Sequence, residues 1–175
     1  MNRQALRGLL FVGFMAVGLS AVGEAAQQHS GTMEQLFLQQ AAQGQQAEIA
    51  LGQLAAEKGS NHQVKQFGQR MIQDHQKSSR EVQHLATKEG IQISPELTDH
   101  AKQIHRRLAS LFGKTFDQAY MTYMLRDHVK DVNTFEQNAQ MLVDPEIKAW
   151  ASSTLPILKD HLQRAKAVAS AIGMM

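Results

Sequence analysis

The chain has 175 residues, 18 Lys and Arg against 16 Asp and Glu, a net charge of +2 and no cysteine. This near balance excludes a dedicated nucleic-acid binder, which would carry a basic stripe. The lack of Cys excludes disulfides, thiolate chemistry and a lipoprotein anchor alike, so stability must come from packing.

Met1 to Arg7 carries Arg3 and Arg7 and no acid, Gly8 to Val22 is almost wholly apolar, and Gly23, Glu24 and Ala25 place small residues at the positions a signal peptidase reads. A charged start, an apolar run and a small-residue exit predict a secretory signal over residues 1–25, cut after Ala25. The apolar run is about 15 residues, short of the roughly 20 that span a bilayer. Losing Arg3, Arg7 and Glu24 with this segment lowers the net charge from +2 to +1. The expected product is a periplasmic or secreted domain over residues 26–175. No second long apolar run follows, so its membrane contact would be peripheral, or its partner another envelope protein.

After a polar lead over residues 26–31, Thr32 is placed to cap a first helix reaching about Lys58, with Leu36, Phe37, Ala41, Ala47, Leu51 and Leu54 among its apolar positions. Gly59, Ser60 and Asn61 form a turn, Asn61 being a favoured N-cap. A second helix follows to about Glu89. Its seam of Val64, Phe67, Met71, Val82 and Leu85 advances in steps compatible with threes and fours. Gly90 is its C-cap glycine. After a connector, Ser94, Pro95 and Glu96 are expected to open a shorter helix, with Pro at the first helical position. Leu97, Ala101, Ile104, Leu108 and Leu111 give it one apolar face, and Gly113 stops it. Thr115 with Gln118 reads as a capping box for a long helix carrying Phe116, Tyr120, Met124, Val132, Phe135, Ala139 and Leu142. Asp144 and Pro145 open the last helix, with Ile147, Trp150, Ala151, Leu155, Leu158, Leu162, Ala165 and Val168, and Pro156 as an expected kink.

No segment alternates as a strand would. The expected fold is all-α: a ferritin-like four-helix bundle of two hairpins, with an extra short helix in the crossover between them. An up-and-down bundle with an added helix is the alternative.

Four of the seven Asp residues are followed directly by His: Asp74-His75, Asp99-His100, Asp127-His128 and Asp160-His161. With eight His in 175 residues, fewer than one such pair is expected by chance. Each Asp also has an apolar residue two positions before it: Ile72, Leu97, Leu125 and Leu158. On the long helices, His75 lies four residues after Met71, His128 four after Met124 and His161 three after Leu158, so all three continue apolar seams. His128 and His161 sit 16 and 17 residues from Asp144. At about 1.5 Å per residue they share one height, and His75 joins them if the hairpins overlap fully. Glu48 on the first helix falls within about one turn of that level.

Two readings follow. Inward His and carboxylates on facing helices build metal sites in bundle cores, and imidazole suits Zn, Cu, Fe or Ni. His75, His128, His161 and Glu48 are then ligands of a transition metal in a metal-binding or redox bundle. Alternatively there is no cofactor, and each buried His is clasped by an Asp of a neighbouring helix (Asp74, Asp127 or Asp160), because buried polar groups need partners whether or not a metal binds.

The run Glu81, Val82, Gln83, His84 matches the Glu-x-x-His element of di-iron bundles but straddles the seam and is read as coincidence. His100 and His105 lie near Lys102, Arg106 and Arg107 and read as solvated, while His29 and His62 receive no role. Met121, Met124 and Met141 are read as core filling. No nucleophile motif, Gly-rich phosphate loop or paired-His zinc helix is present. With nothing to nominate an enzyme, the leading expectation is a non-enzymatic structural, stress-related or interaction protein of the bacterial cell envelope.

Several runs together carry a family resemblance. These are Phe37 to Gly52 with its Ala-Glu-Ile-Ala-Leu-Gly stretch, Val64 to Met71 followed by Asp74-His75, Phe116 to Met121, Asp127-His128, and Thr154-Leu155-Pro156 ahead of His161. Over residues 33 to 170 the chain resembles the bacterial exported proteins grouped as domain of unknown function 4142, often labelled predicted outer-membrane proteins. The resemblance implies a ferritin-like fold and brings no activity, substrate or metal with it. Its outer-membrane label finds no barrel-type strands in this sequence.

Overall fold

The computed structural model describes the backbone of residues 21–174 and side chains from Met33 onward. Most of the expected signal, residues 1–20, lies outside the described residues. Five α-helices and no strand occur among those described: α1 Ala21–Lys58, α2 His62–Lys88, α3 Asp99–Ala109, α4 Gly113–Met141 and α5 Pro145–Ala171. α1 with α2, and α4 with α5, form two hairpins. These meet along α2–α5 and α1–α4 to close a four-helix bundle, with α3 packed across α1 and α4.

The turns follow from local chemistry. Asn61 accepts a hydrogen bond from the backbone N–H of Gln63 and starts α2. Gly90 (φ 67°) ends it: its N–H reaches the Thr87 carbonyl and that of Ile91 reaches Ala86, the paired bonds that close a helix through a left-handed residue. Asp144 accepts from the N–H groups of Glu146 and Ile147 and opens α5, with Pro145 at its first position. The buried Asp117 of α4 accepts from Ser60 and from the N–H of Asn61, fastening the α1–α2 turn to the second hairpin.

Three expected helix starts are corrected. Thr32 does not cap α1. The helix runs through it from Ala21, because the Ala- and Gln-rich lead is itself a good helix former. Pro95 does not open α3. The cap is Thr98, whose hydroxyl accepts from Ala101 N–H at 3.1 Å, while Ser94 bonds the Glu96 N–H in a local turn. α4 starts at Gly113 rather than at a Thr115 capping box, and its cap residue Phe112 supplies no side-chain bond. Gly113 therefore begins a helix, and α3 has already ended at Ala109.

The hairpin α1–α2 is closest where two glycines face each other. A Cβ added at Gly68 would stand 2.7 Å from the Gly52 carbonyl oxygen and 2.8 Å from Ala55 Cβ.

The core is split in two along the bundle axis. One cluster contains Phe37, Leu38, Val82, Val132, Phe135, Ile147, Trp150 and Leu158. The other contains Leu51, Phe67, Met71, Phe116, Tyr120, Met124 and Ala165. Each long helix passes from one cluster to the other, and between them each carries a buried polar side chain: Gln45 and Glu48 on α1, His75 on α2, His128 on α4, His161 on α5. This polar layer is the chemically distinctive level of the molecule.

A candidate metal centre of three buried histidines

His75, His128 and His161 are 3%, 0% and 1% exposed. Their ring centroids stand 6.0, 5.3 and 5.4 Å apart, and one ring nitrogen from each lies within 4.8 Å of those of the other two. No other set of three ligating side chains is this close among the described residues. The helical arithmetic explains the meeting: His128 and His161 are nearly equidistant from the α4–α5 turn, and α2 lies alongside α5 at the same level.

In each ring one nitrogen is committed. His128 Nδ1 donates to the Met124 carbonyl at 2.9 Å, one turn earlier on its own helix. His75 Nδ1 donates to Gln45 Oε1 at 2.7 Å, across to α1. His161 Nε2 donates to Asp74 Oδ2 at 2.8 Å, across to α2. Every acceptor here is a carbonyl or carboxylate oxygen, which can only accept, so the proton of each neutral imidazole is assigned. The lone pairs then fall on His75 Nε2, His128 Nε2 and His161 Nδ1, all three buried and without a partner among the described residues. Fixing a ligand's tautomer through its other nitrogen is what outer partners do in metal sites.

The rings are held neutral. Burial, then the neighbouring His161 and His128, pushes His75 well below the usual histidine range. Burial and His161 bring His128 down to about 4. Burial also lowers His161, against the opposing pull of its bond to Asp74. Burial works against the Asp74 carboxylate, but hydrogen bonds from His161 and Arg70 outweigh it and hold the group below its ordinary range.

The other candidate residues divide. Asp74 clasps a histidine of a neighbouring helix, as one reading expects. Asp160 does not: it pairs with Arg164 on its own helix, because a residue adjacent to an inward His points about 100° away toward solvent. Asp127 makes no hydrogen bond with a histidine and lies near Glu48 instead. Glu48 is 1% exposed and outside the close set of three ligand atoms. Among the described residues neither of its oxygens meets hydrogen-bond geometry, although the Asp127 carboxyl stands beside it. Burial, then the carboxyls of Asp127 and Asp131, raises its acid well above the usual range. Gln45 was not singled out in the sequence. Its signal was there, since it lies four residues after Ala41 and three before Glu48 on the inward face, but among so many Gln residues it did not stand apart.

Away from this layer, His100, Glu81 and His84 are exposed. Met121 and Met124 are core residues, and Met141 is 63% exposed at the end of α4.

The family model for the domain of unknown function DUF4142 matches residues 20–168. The chain belongs to the DUF4142 family. None of the curated proteins matches its sequence. Among solved structures, this DUF4142 protein is similar to a DUF305 fragment from Deinococcus radiodurans, with a TM-score of 0.69 at 15% identity, covering 81% of this chain and 96% of that one. At that identity the likeness speaks for the helical fold alone. No helix of the described residues is long and apolar enough to cross a membrane.

Proposed function

We propose that this DUF4142 protein is a helical bundle that binds a first-row transition-metal ion through His75, His128 and His161 and works, after export, in the bacterial cell envelope. The observation carrying the metal reading is the set of three neutral, buried imidazole lone pairs with no partner among the described residues. An unsatisfied buried acceptor costs about 1–3 kcal/mol, and one cation answers all three. Nitrogens sharing one ion at 2.0–2.1 Å stand about 3.4 Å apart, so binding would draw the rings together by small side-chain rotations. Three imidazoles without a thiolate favour Zn, Cu, Ni or Fe over Ca or Mg. With three protein ligands, a fourth position stays open to water or a small ligand. The export reading rests on residues 1–25 and is tested by finding the protein cut after Ala25 in the periplasmic fraction.

The metal reading is tested by elemental analysis and titration of protein purified from that fraction. One ion per chain is expected in the wild type and none in His128→Ala. Equal metal content in both would sink it. The bond between Asp74 and His161 favours a second reading, in which the layer is a structural clasp that sets helix register. Under that reading the wild type takes up no metal and His128→Ala changes only stability.

A further inference from the structure

The three histidines are buried, so an ion needs a way in, and two clefts reach them. The first, about 450 Å³ between α1, α3 and α4, has the buried His75 in its lining. Its rim includes the exposed Gln40, Gln43, His100 and Lys130, with the half-buried Asp127 and Asp131 in its wall. The second, about 240 Å³ between α2 and α5, touches His75 and His161. Its charges are Arg70, Asp74, Lys77 and Glu81.

The clefts differ in which carboxylates are free. In the second, Asp74 is committed to His161 and Arg70, and Glu81 accepts from the Trp150 indole at 3.3 Å. Two cations stand beside these two occupied acids. In the first, among the described residues, Asp127 and Asp131 form no ion pair, and Lys130 is the one Lys or Arg in the lining. The cleft therefore leads inward from a polar rim, past two carboxyl groups that no cation neutralises by an ion pair, to the buried His75. These carboxyls and Glu48 do not close into a ligand set as tight as the histidines, which suits transit better than retention.

Resting on the metal reading above, we propose that the α1–α3–α4 cleft is the route by which a divalent cation reaches the three histidines, with Asp127 and Asp131 drawing it inward from the rim.

The test is stopped-flow uptake of Co(II) by metal-free protein at low ionic strength, read by its d–d absorption and run above pH 7, where Asp131, raised to about 7 by burial and Asp127, is ionised. Guidance by a charged cleft changes on-rates by 10 to 10³. Asp131→Lys should slow uptake roughly tenfold at the low end of that range, Asp131→Asn should slow it less, and Lys130→Gln should speed it. Glu81→Lys at the other cleft should leave it unchanged. Added salt should pull wild type and variants together, and the final Co(II) stoichiometry should stay the same. Asp131→Asn and Lys130→Gln guard against a misfolded Asp131→Lys, because their opposite signs cannot both come from lost structure. Equal rates across the Asp131 and Lys130 variants, or slowing by Glu81→Lys instead, would overturn the route while leaving the metal site standing. Absence of Co(II) bands in the wild type would overturn both.

Discussion

His161 and His128 sit at the same level, yet each has its second nitrogen fixed by a different kind of partner, and so the Asp-His pairs are not equivalent. Asp74 bonds a buried ring on another helix, whereas Asp160 makes an exposed ion pair with Arg164. Asp74→Ala strands a buried donor and should cost about 1–3 kcal/mol in urea unfolding. Asp160→Ala should cost under about 1 kcal/mol, and equal losses would contradict this division. The repeated dipeptide was plain in the sequence, as was the inward face of its histidines. Which Asp would reach a His was not, because that depends on how α2 and α5 are rotated against each other. The buried rings also predict a pH response of the metal-free protein. A histidine of unfolded pKa 6.5 that falls to about 4 on folding contributes stability above 6.5, lost as pH drops toward 4, because the unfolded chain takes up the proton first. For His128 this amounts to about 3 kcal/mol. Glu48 and Asp131, the latter raised to about 7 by burial and Asp127, act in the opposite direction by favouring the acid form. The comparison of wild type with His128→Gln isolates the histidine: the variant's stability should fall less between pH 6.5 and 4. Parallel curves would refute the assignment.

At the scale of helices, the apolar seams were legible and the starts were less so. Val64, Phe67, Met71, Val82 and Leu85 are all buried, as their spacing implies. Leu36 is 54% exposed, because the neighbouring Phe37 and Leu38 take the inward positions there. The capping signals at Thr32, Pro95 and Thr115 were each real as local patterns and were each overridden. A cap residue works only where the chain must bend, and Thr98 and Phe112 mark the actual bends. The close approach of α1 and α2 was invisible, because a glycine inside a helical pattern looks like a weakness until its neighbour is known. It gives a paired prediction. Gly68→Ala forces its methyl against the Gly52 carbonyl and Ala55 and should destabilise by about 1–3 kcal/mol, as overpacking does. Gly44→Ala on α1, with nothing within 4 Å of the new Cβ, should stabilise by about 0.5–1 kcal/mol through lower chain entropy. Thermal melts of the two variants should therefore move in opposite directions, and a rise for Gly68→Ala would mean that the helices part freely there.

Across the whole molecule, the histidine layer joins the two hairpins. His75 belongs to α1–α2, while His128 and His161 belong to α4–α5. Contact within each hairpin is more extensive than contact between hairpins, which runs through the α2–α5 and α1–α4 seams. An ion taking all three nitrogens is therefore a cross-link between units that otherwise dock by side-chain packing, the Asp117 fastening and hydrogen bonds such as those of His161 to Asp74 and Trp150 to Glu81. Because the unfolded chain cannot present the three rings together, free metal at 100 times its Kd should stabilise the fold by about 2.7 kcal/mol, which for a chain of this size raises Tm by roughly 5–10 °C. The gain must depend on the hairpin that contributes a single ligand. If His128 and His161 hold the ion without help, His75→Ala keeps most of the rise, and metal protects amides of α4 and α5 from hydrogen exchange while leaving α2 unchanged. If the ion bridges the hairpins, His75→Ala abolishes the rise, and the added protection in the wild type extends into α2 on both sides of His75. Melts with and without Zn(II), run on the wild type and His75→Ala with exchange measured in parallel, separate the two arrangements. The three converging nitrogens favour the bridge, and a full Tm rise retained in His75→Ala would rule it out.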